Sequence, residues 1–111
     1  MSLTASEQYC LDEVRRHDHD RYLTALFLPA DRRPAALALY AFNLEIARTR
    51  EIVSEPLLGQ IRLQWWRETI EGLFAGTPRE HPVVDALGTA IRQHDLPPDR
   101  LEALIDAREA D

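Results

Sequence analysis

Apolar residues recur along the chain in stretches that fit helical spacing, and proline or glycine separates each stretch from the next. The first stretch follows Thr4, which stands three residues before Glu7 as in a capping box, and we expect this helix to end near Arg16. A second, short helix is predicted from about Asp20 to Leu28. Its apolar side carries Tyr22, Leu23, Leu26 and Phe27.

The next stretch is a run of eight apolar or aromatic residues from Ala35 to Phe42. A helix built from this run is apolar on every side, which is typical of a helix surrounded by others. A buried strand is the alternative, but four alanines and no β-branched residue favour the helix. Pro34 fits the first turn of this helix, where a missing amide hydrogen does no harm.

Three more helices are predicted, and each of them begins at a proline. The first runs from Pro56 to about Ala75, with Gly76 as its stop. The other two begin at Pro82 and Pro98. No segment alternates with a period of two over the length of a strand. The pattern therefore predicts an all-α helical bundle.

The two central helices are apolar over wider arcs than a bundle of this length can cover. In the helix that begins at Pro56, Arg62 lies inside the apolar arc, and we expect it to have a buried partner or a ligand. The sequence therefore predicts that residues 1–111 are the N-terminal part of a larger domain. A homo-oligomer or a partner subunit that covers the same apolar faces is the alternative.

Composition narrows the functional classes. The 111 residues include 13 arginines, no lysine and 19 acidic residues, which gives a formal net charge of −6. This balance argues against nucleic-acid binding, which needs clustered positive charge. Cys10 is the only cysteine, so an internal disulfide and a cysteine-based zinc site are excluded. No apolar run reaches the about 20 residues that span a bilayer, and we expect a cytoplasmic protein.

The sequence offers few candidate residues for a catalytic or ligand-binding site. The metal-capable residues at 17–20 (HDHD) lack the spacing that converges on one ion, and a solvated turn is favoured. Trp65 and Trp66 point about 100° apart on a helix, so core packing is favoured over a stacking platform. Arg32 and Arg33 precede the next helix and could hold an anion at its N-terminus, with an exposed loop as the alternative.

Three stretches resemble the squalene/phytoene synthase family. They are FLPADRRPAALALYAF at 27–42, LLGQIRLQWWRETIEGLFAG at 57–76 and HPVVDAL at 81–87. Members of that family are all-α enzymes that join two prenyl diphosphates head to head, with Mg²⁺ held by two aspartate-rich motifs. The resemblance implies a prenyl diphosphate ligand, Mg²⁺ as cofactor of any surviving activity, and packing or cavity-wall roles for Tyr40 and Phe42.

The first aspartate-rich motif of the family should follow Phe42 on the same helix. Ala47 and Arg48 align with an aspartate pair and Glu51 with the last aspartate, so only Glu51 keeps an acid. Arg48 and Arg50 repel Mg²⁺ but could attract a diphosphate. The resemblance thus gives no confident catalytic or metal-binding residue. The diphosphate-binding candidates are Arg32, Arg33, Arg48 and Arg50.

The second aspartate-rich motif lies beyond Asp111 in family members. The stretch AFNLEIARTREIVSEPLLGQIRLQWWRE at 41–68 is most similar to a divergent branch, which includes bacterial members and a mitochondrial assembly factor for respiratory complex I. We therefore predict a bacterial member of the family that is inactive as a prenyltransferase. The alternative is a non-catalytic assembly or scaffolding factor, for example for respiratory complex I, peripheral to the inner membrane.

Overall fold

The computed structural model describes residues 3–51 and 55–110, with side chains over 3–49 and 55–109. Within these ranges the chain forms six α-helices and no strand, which confirms the all-α prediction. The helices are α1 (Ala5–His17), α2 (His19–Leu26), α3 (Arg33–Glu51), α4 (Pro56–Ala75), α5 (Pro82–His94) and α6 (Pro98–Ala110).

The helix ends lie close to where the capping residues, prolines and glycine predict them. At the start of α1, the Glu7 amide donates to the Thr4 hydroxyl at 3.1 Å, and the Thr4 amide donates to the Glu7 carboxylate at 2.9 Å. Pro56 and Pro82 occupy the first turns of α4 and α5. Gly76 ends α4 in the left-handed region, with φ of 85°, where an L side chain costs about 1–2 kcal/mol.

Helix α3 lies at the centre and contacts each of the other five helices. Phe42 and Ile46 on α3 are fully buried, as are Val14 on α1 and Leu87 on α5. Because α1, α3 and α5 also pack against one another, these side chains form one core. The prediction that the run at 35–42 forms a helix surrounded by others is confirmed.

Helices α4 and α6 form a second pair that packs against α3. Ile70 on α4 and Ile105 on α6 are fully buried. At the edge of the pair, the Arg67 guanidinium lies 2.7 Å from the Asp106 carboxylate and also hydrogen-bonds Glu109. Hydrogen bonds to these two carboxylates raise the pKa of Arg67 above its ordinary value. The pair is thus joined by an apolar contact and an ion-pair network.

The first two turns of α4 carry an uncovered apolar surface, as the wide apolar arc predicts. Leu57, Leu58 and Ile61 are 63%, 48% and 55% exposed, and we call these three residues the α4 face. Arg62 beside them is also exposed. The expectation of a buried partner for Arg62 is therefore wrong, because the side chain is open to solvent, while a ligand at Arg62 stays a prediction.

Helix α2 is shorter than the predicted range and packs on α1 and α3. Its buried residue is Ala25, while Leu23, Leu26 and Phe27 on its apolar side are exposed. The helix ends at Leu26 because the amide of Phe27 bonds to the carbonyl three residues back in a tighter turn. Among the described helices, none combines the length and the hydropathy needed to cross a bilayer.

Candidate functional site

The positions that the resemblance aligns with the first aspartate-rich motif lie on the last turns of α3. Ala47 and Arg48 are half-buried there. Arg50 and Glu51 belong to the same helix, but their side chains fall outside the described residues. Arg48 is therefore the charged residue of this group whose side-chain contacts the structure describes.

Arg48 is held by two carboxylates. Its Nη2 donates to Glu13 Oε2 at 3.2 Å across the interface between α1 and α3. Its Nη1 lies 3.8 Å from Glu45 Oε1, one turn earlier on α3. All three side chains are partly buried. The protein's own carboxylates thus compensate the guanidinium charge, and the arrangement fixes α1 against α3.

Tyr9 and His17 extend this group along α1. With Glu13 they are spaced four residues apart and share one side of the helix. Tyr9 hydrogen-bonds Glu13, and His17 Nε2 lies 3.2 Å from Glu13 Oε2. Together with Glu45 and Arg48 they form what we call the Arg48 cluster.

The Arg48 cluster changes the acidity of two of its members. Burial opposes the ionisation of Glu13, but hydrogen bonds from Arg48 and Tyr9 outweigh it and hold the Glu13 pKa below its ordinary 4.5. Burial raises the pKa of Tyr9, and its hydrogen bond to Glu13 acts in the same direction. The cluster is therefore an ionised Glu13 carboxylate flanked by a permanent cation and a neutral phenol.

Comparison with known proteins identifies the family. Residues 14–111 match the family model of squalene/phytoene synthase. The chain belongs to the squalene/phytoene synthase family. No solved structure gives a significant match to this chain.

Several relatives of this family member are named for complex I assembly. NADH dehydrogenase (ubiquinone) complex I, assembly factor 6 of Bos taurus is 38% identical over 109 residues, which are 98% of this chain and 33% of the relative. The Homo sapiens protein of the same name is 38% identical over 104 residues, or 94% of this chain and 31% of the relative. A phytoene synthase of Rhodobacter capsulatus is 26% identical over 106 residues, which are 96% of this chain and 31% of that enzyme.

The chain spans about a third of the length of the curated relatives it matches. The relatives at 36–39% identity are mammalian, so the comparisons do not support a bacterial source.

The Arg48 cluster does not suit the Mg²⁺ that family enzymes use. Mg²⁺ takes oxygen ligands in a compact octahedron, whereas here a guanidinium pairs with both carboxylates. Over the part of the chain that the structure describes, no group of three or more His, Cys, Asp or Glu side chains converges on one point. We therefore derive no metal-dependent step at this end of α3.

The other predicted anion-binding pair lies at the opposite end of α3. Arg33 Nε donates to the Leu28 carbonyl at 2.9 Å, and its Nη2 donates to the Leu26 carbonyl at 3.0 Å. Arg32 is exposed. About 22 Å of helix separate Arg33 from Arg48, so one diphosphate cannot contact both. The anion-binding role of these arginines stays a prediction.

The resemblance predicts that Tyr40 and Phe42 line a cavity wall. In the structure, the ring of each contacts another side chain. Phe42 is fully buried and meets Trp66 edge-on, with ring centroids 5.4 Å apart. Trp66 also meets His81 at 5.4 Å. Tyr40 is half-buried, and the Arg21 guanidinium lies 5.8 Å from its ring centroid. Core packing of Trp66 is confirmed, while the cavity-wall role of Tyr40 and Phe42 stays a prediction.

A cleft of about 630 Å³ between the start of α1 and the connection from α4 to α5 was not predicted from the sequence. Arg79 on its wall donates to the Trp65 carbonyl at 3.1 Å and to the Thr69 hydroxyl at 3.0 Å. Its guanidinium also lies 5.0 Å from the Trp65 ring centroid. Arg79 thus anchors the connection to α4, and no spacing in the sequence links it to Trp65.

Proposed function

We propose that this chain is a non-catalytic member of the squalene/phytoene synthase family that acts in the assembly of NADH dehydrogenase complex I. The observation that carries the proposal is Arg48, which stands where the family resemblance expects an aspartate and is paired with Glu13 and Glu45. The bovine and human relatives named as complex I assembly factor 6 support the assembly role.

We also propose that residues 1–111 correspond to the N-terminal part of a larger domain. The α4 face supports this, because three large aliphatic side chains on two adjacent turns are exposed. Further helices of the same domain, a partner subunit or a second copy would remove this surface from water. The lengths of the relatives, about three times the matched part, agree with further helices.

For location, we propose a cytoplasmic protein that works at the surface of the inner membrane. Assembly of a membrane complex requires access to that surface. The described helices are too short or too polar to cross a bilayer, which agrees with peripheral attachment.

Prenyl transfer is tested by incubating the purified chain with farnesyl or geranylgeranyl diphosphate and Mg²⁺. We expect no release of diphosphate above the rate without protein, because Arg48 stands where the family resemblance places a metal-binding aspartate. The phytoene synthase of Rhodobacter capsulatus, assayed with geranylgeranyl diphosphate, is the positive control. Turnover that depends on this chain would contradict the non-catalytic proposal.

The assembly role is tested by purifying the tagged chain from membranes of its host in mild detergent. We expect subunits of NADH dehydrogenase complex I to be enriched over a purification with an unrelated tagged protein. The Glu51→Gln variant should retain them, because the proposed role needs no metal-binding acid. Absence of these subunits from the wild-type purification would refute the assembly role.

A further inference from the structure

The proposed function leaves a second uncovered apolar surface unused, at the end of α2. Leu23 and Leu26 are each 43% exposed, and Phe27 is 91% exposed, more than any other large apolar side chain among the described residues. The spacing of these three residues places them on one side of the helix. We call them the α2 tip. A tip so apolar needs a partner that accepts aliphatic and aromatic side chains.

Several backbone polar groups around the α2 tip are paired within the chain. The amides of Phe27 and Leu28 each donate to a carbonyl three residues back at 3.1 Å. The carbonyls of Leu26 and Leu28 accept from Arg33, and Pro29 carries no amide hydrogen. An apolar medium supplies no hydrogen bonds, so a segment enters it only when its backbone groups are already paired. At the α2 tip, the amides of Phe27 and Leu28 and the carbonyls of Leu26 and Leu28 are paired in this way.

The stretch of sequence that contains the α2 tip has a small excess of positive charge. From Arg15 to Arg33 the sequence has five arginines and three aspartates, a local charge of +2, whereas the whole chain carries −6. Arg16 and Arg32 are among the exposed members of this segment. Arginines beside an apolar tip match the chemistry of a membrane interface, where anionic headgroups lie above acyl chains.

We propose that the α2 tip inserts into the interface of an anionic phospholipid bilayer, with Phe27 among the acyl chains and exposed arginines such as Arg32 at the headgroup phosphates. Among the described helices, α2 packs on α1 and α3 alone and does not touch α4. The α2 tip and the α4 face are therefore separate surfaces, and one can engage a bilayer while the other engages protein. This proposal does not depend on a role in complex I assembly.

Flotation with phospholipid vesicles tests the proposal on the full chain. We expect the wild-type chain to float with phosphatidylcholine vesicles that contain phosphatidylglycerol. Phe27→Ser should lower the partition coefficient about tenfold, the loss expected for one aromatic side chain, and Phe27→Trp should preserve it. Leu57→Ser on the α4 face is the matched control, since it also removes an exposed apolar side chain, and it should float like the wild type.

Both serine variants change exposed residues, and far-UV circular dichroism checks that they keep the wild-type helix content. Failure of the wild-type chain to float would overturn the proposal, leaving a protein partner as the occupant of the α2 tip. An equal loss in Phe27→Ser and Leu57→Ser would also overturn it, because binding would then reflect general apolar adhesion. Equal flotation with pure phosphatidylcholine would overturn the selectivity for anionic lipid.

Discussion

Arg48 joins two helices through charges that are partly removed from water. Its partner Glu13 lies on α1 and its partner Glu45 on α3. Burial alone disfavours each of these charges. Their mutual attraction offsets much of the hydration free energy that they lose. Removing the guanidinium would therefore leave Glu13 without its main source of stabilisation.

Replacing Arg48 by methionine should destabilise the fold by about 1–2 kcal/mol, since it breaks a charged hydrogen bond between two helices. Urea unfolding followed by circular dichroism measures the change. Arg62→Met removes an exposed arginine from α4 and should change stability by less than about 0.5 kcal/mol. Equal losses in the two variants would show that the Arg48 cluster contributes nothing specific.

The Arg48 cluster also predicts that the stability of the fold depends on pH, through the ionisation of Glu13. Because the folded-state pKa of Glu13 lies below its ordinary 4.5, the ionised carboxylate contributes stability that is fully present above that value. This stability is lost as the pH falls through the lowered pKa of the folded state. Urea unfolding from pH 7 down to pH 3 should show a shallower decline in Glu13→Gln than in the wild type. Parallel curves would contradict the assignment.

Cys10 should be unreactive in the folded chain. Its side chain is fully buried, and burial, reinforced by the negative charge of Glu7, raises the pKa of the Cys10 thiol to about 12. Since the thiolate is the reactive form, we expect modification by a thiol reagent at pH 8 to be about 1000-fold slower in the folded chain than in urea. Similar rates in both conditions would mean that α1 does not stay packed on the core.

At the scale of whole helices, α4 offers a matched pair of isoleucines. Ile70 is fully buried and Ile61 is 55% exposed on the same helix. Ile70→Ala should destabilise the chain by about 2–5 kcal/mol, whereas Ile61→Ala should cost less than about 1 kcal/mol. Chemical denaturation of both variants measures the difference. A large loss in Ile61→Ala would mean that the purified chain already covers the α4 face by self-association.

Helix boundaries were predictable because they depend on residues close in sequence. Pro56 and Gly76 mark the ends of α4, and the Thr4–Glu7 capping box marks the start of α1. The end of α2 was less predictable. Apolar spacing predicts the helix as far as Leu28, but it does not tell which apolar side finds a neighbour, and Phe27 faces solvent.

The candidate site was less accessible to sequence reasoning because its contacts join distant residues. Glu13 is 35 positions from Arg48, so no spacing within one helix links the two residues. The spacing of Tyr9, Glu13 and His17 on one side of α1 was the available signal, since a polar stripe on a packed helix must face something polar. The position of Arg33 beside a helix N-terminus indicates anion binding, whereas in the fold its guanidinium donates to two carbonyls of the chain itself.

At the scale of the whole molecule, the described helices surround one central α3 and leave two apolar surfaces, on helices α2 and α4, which do not contact each other. The α4 face belongs to the pair formed with α6, and the α2 tip belongs to the group around α1. The net charge of −6 is also unevenly distributed, since the segment around α2 is positive. A protein that binds further helices at one surface and a bilayer at the other suits a role in membrane-complex assembly.

The most direct test of the central claim is the amount of assembled NADH dehydrogenase complex I in host cells that lack the gene for this chain. Native gels stained for NADH oxidation measure it. We expect the complex to decline on deletion and to return with either the wild-type gene or Glu51→Gln, because assembly needs no metal-binding acid. An unchanged level of complex I in the deletion strain, or a failure of Glu51→Gln accompanied by loss of a prenyl product, would contradict the claim.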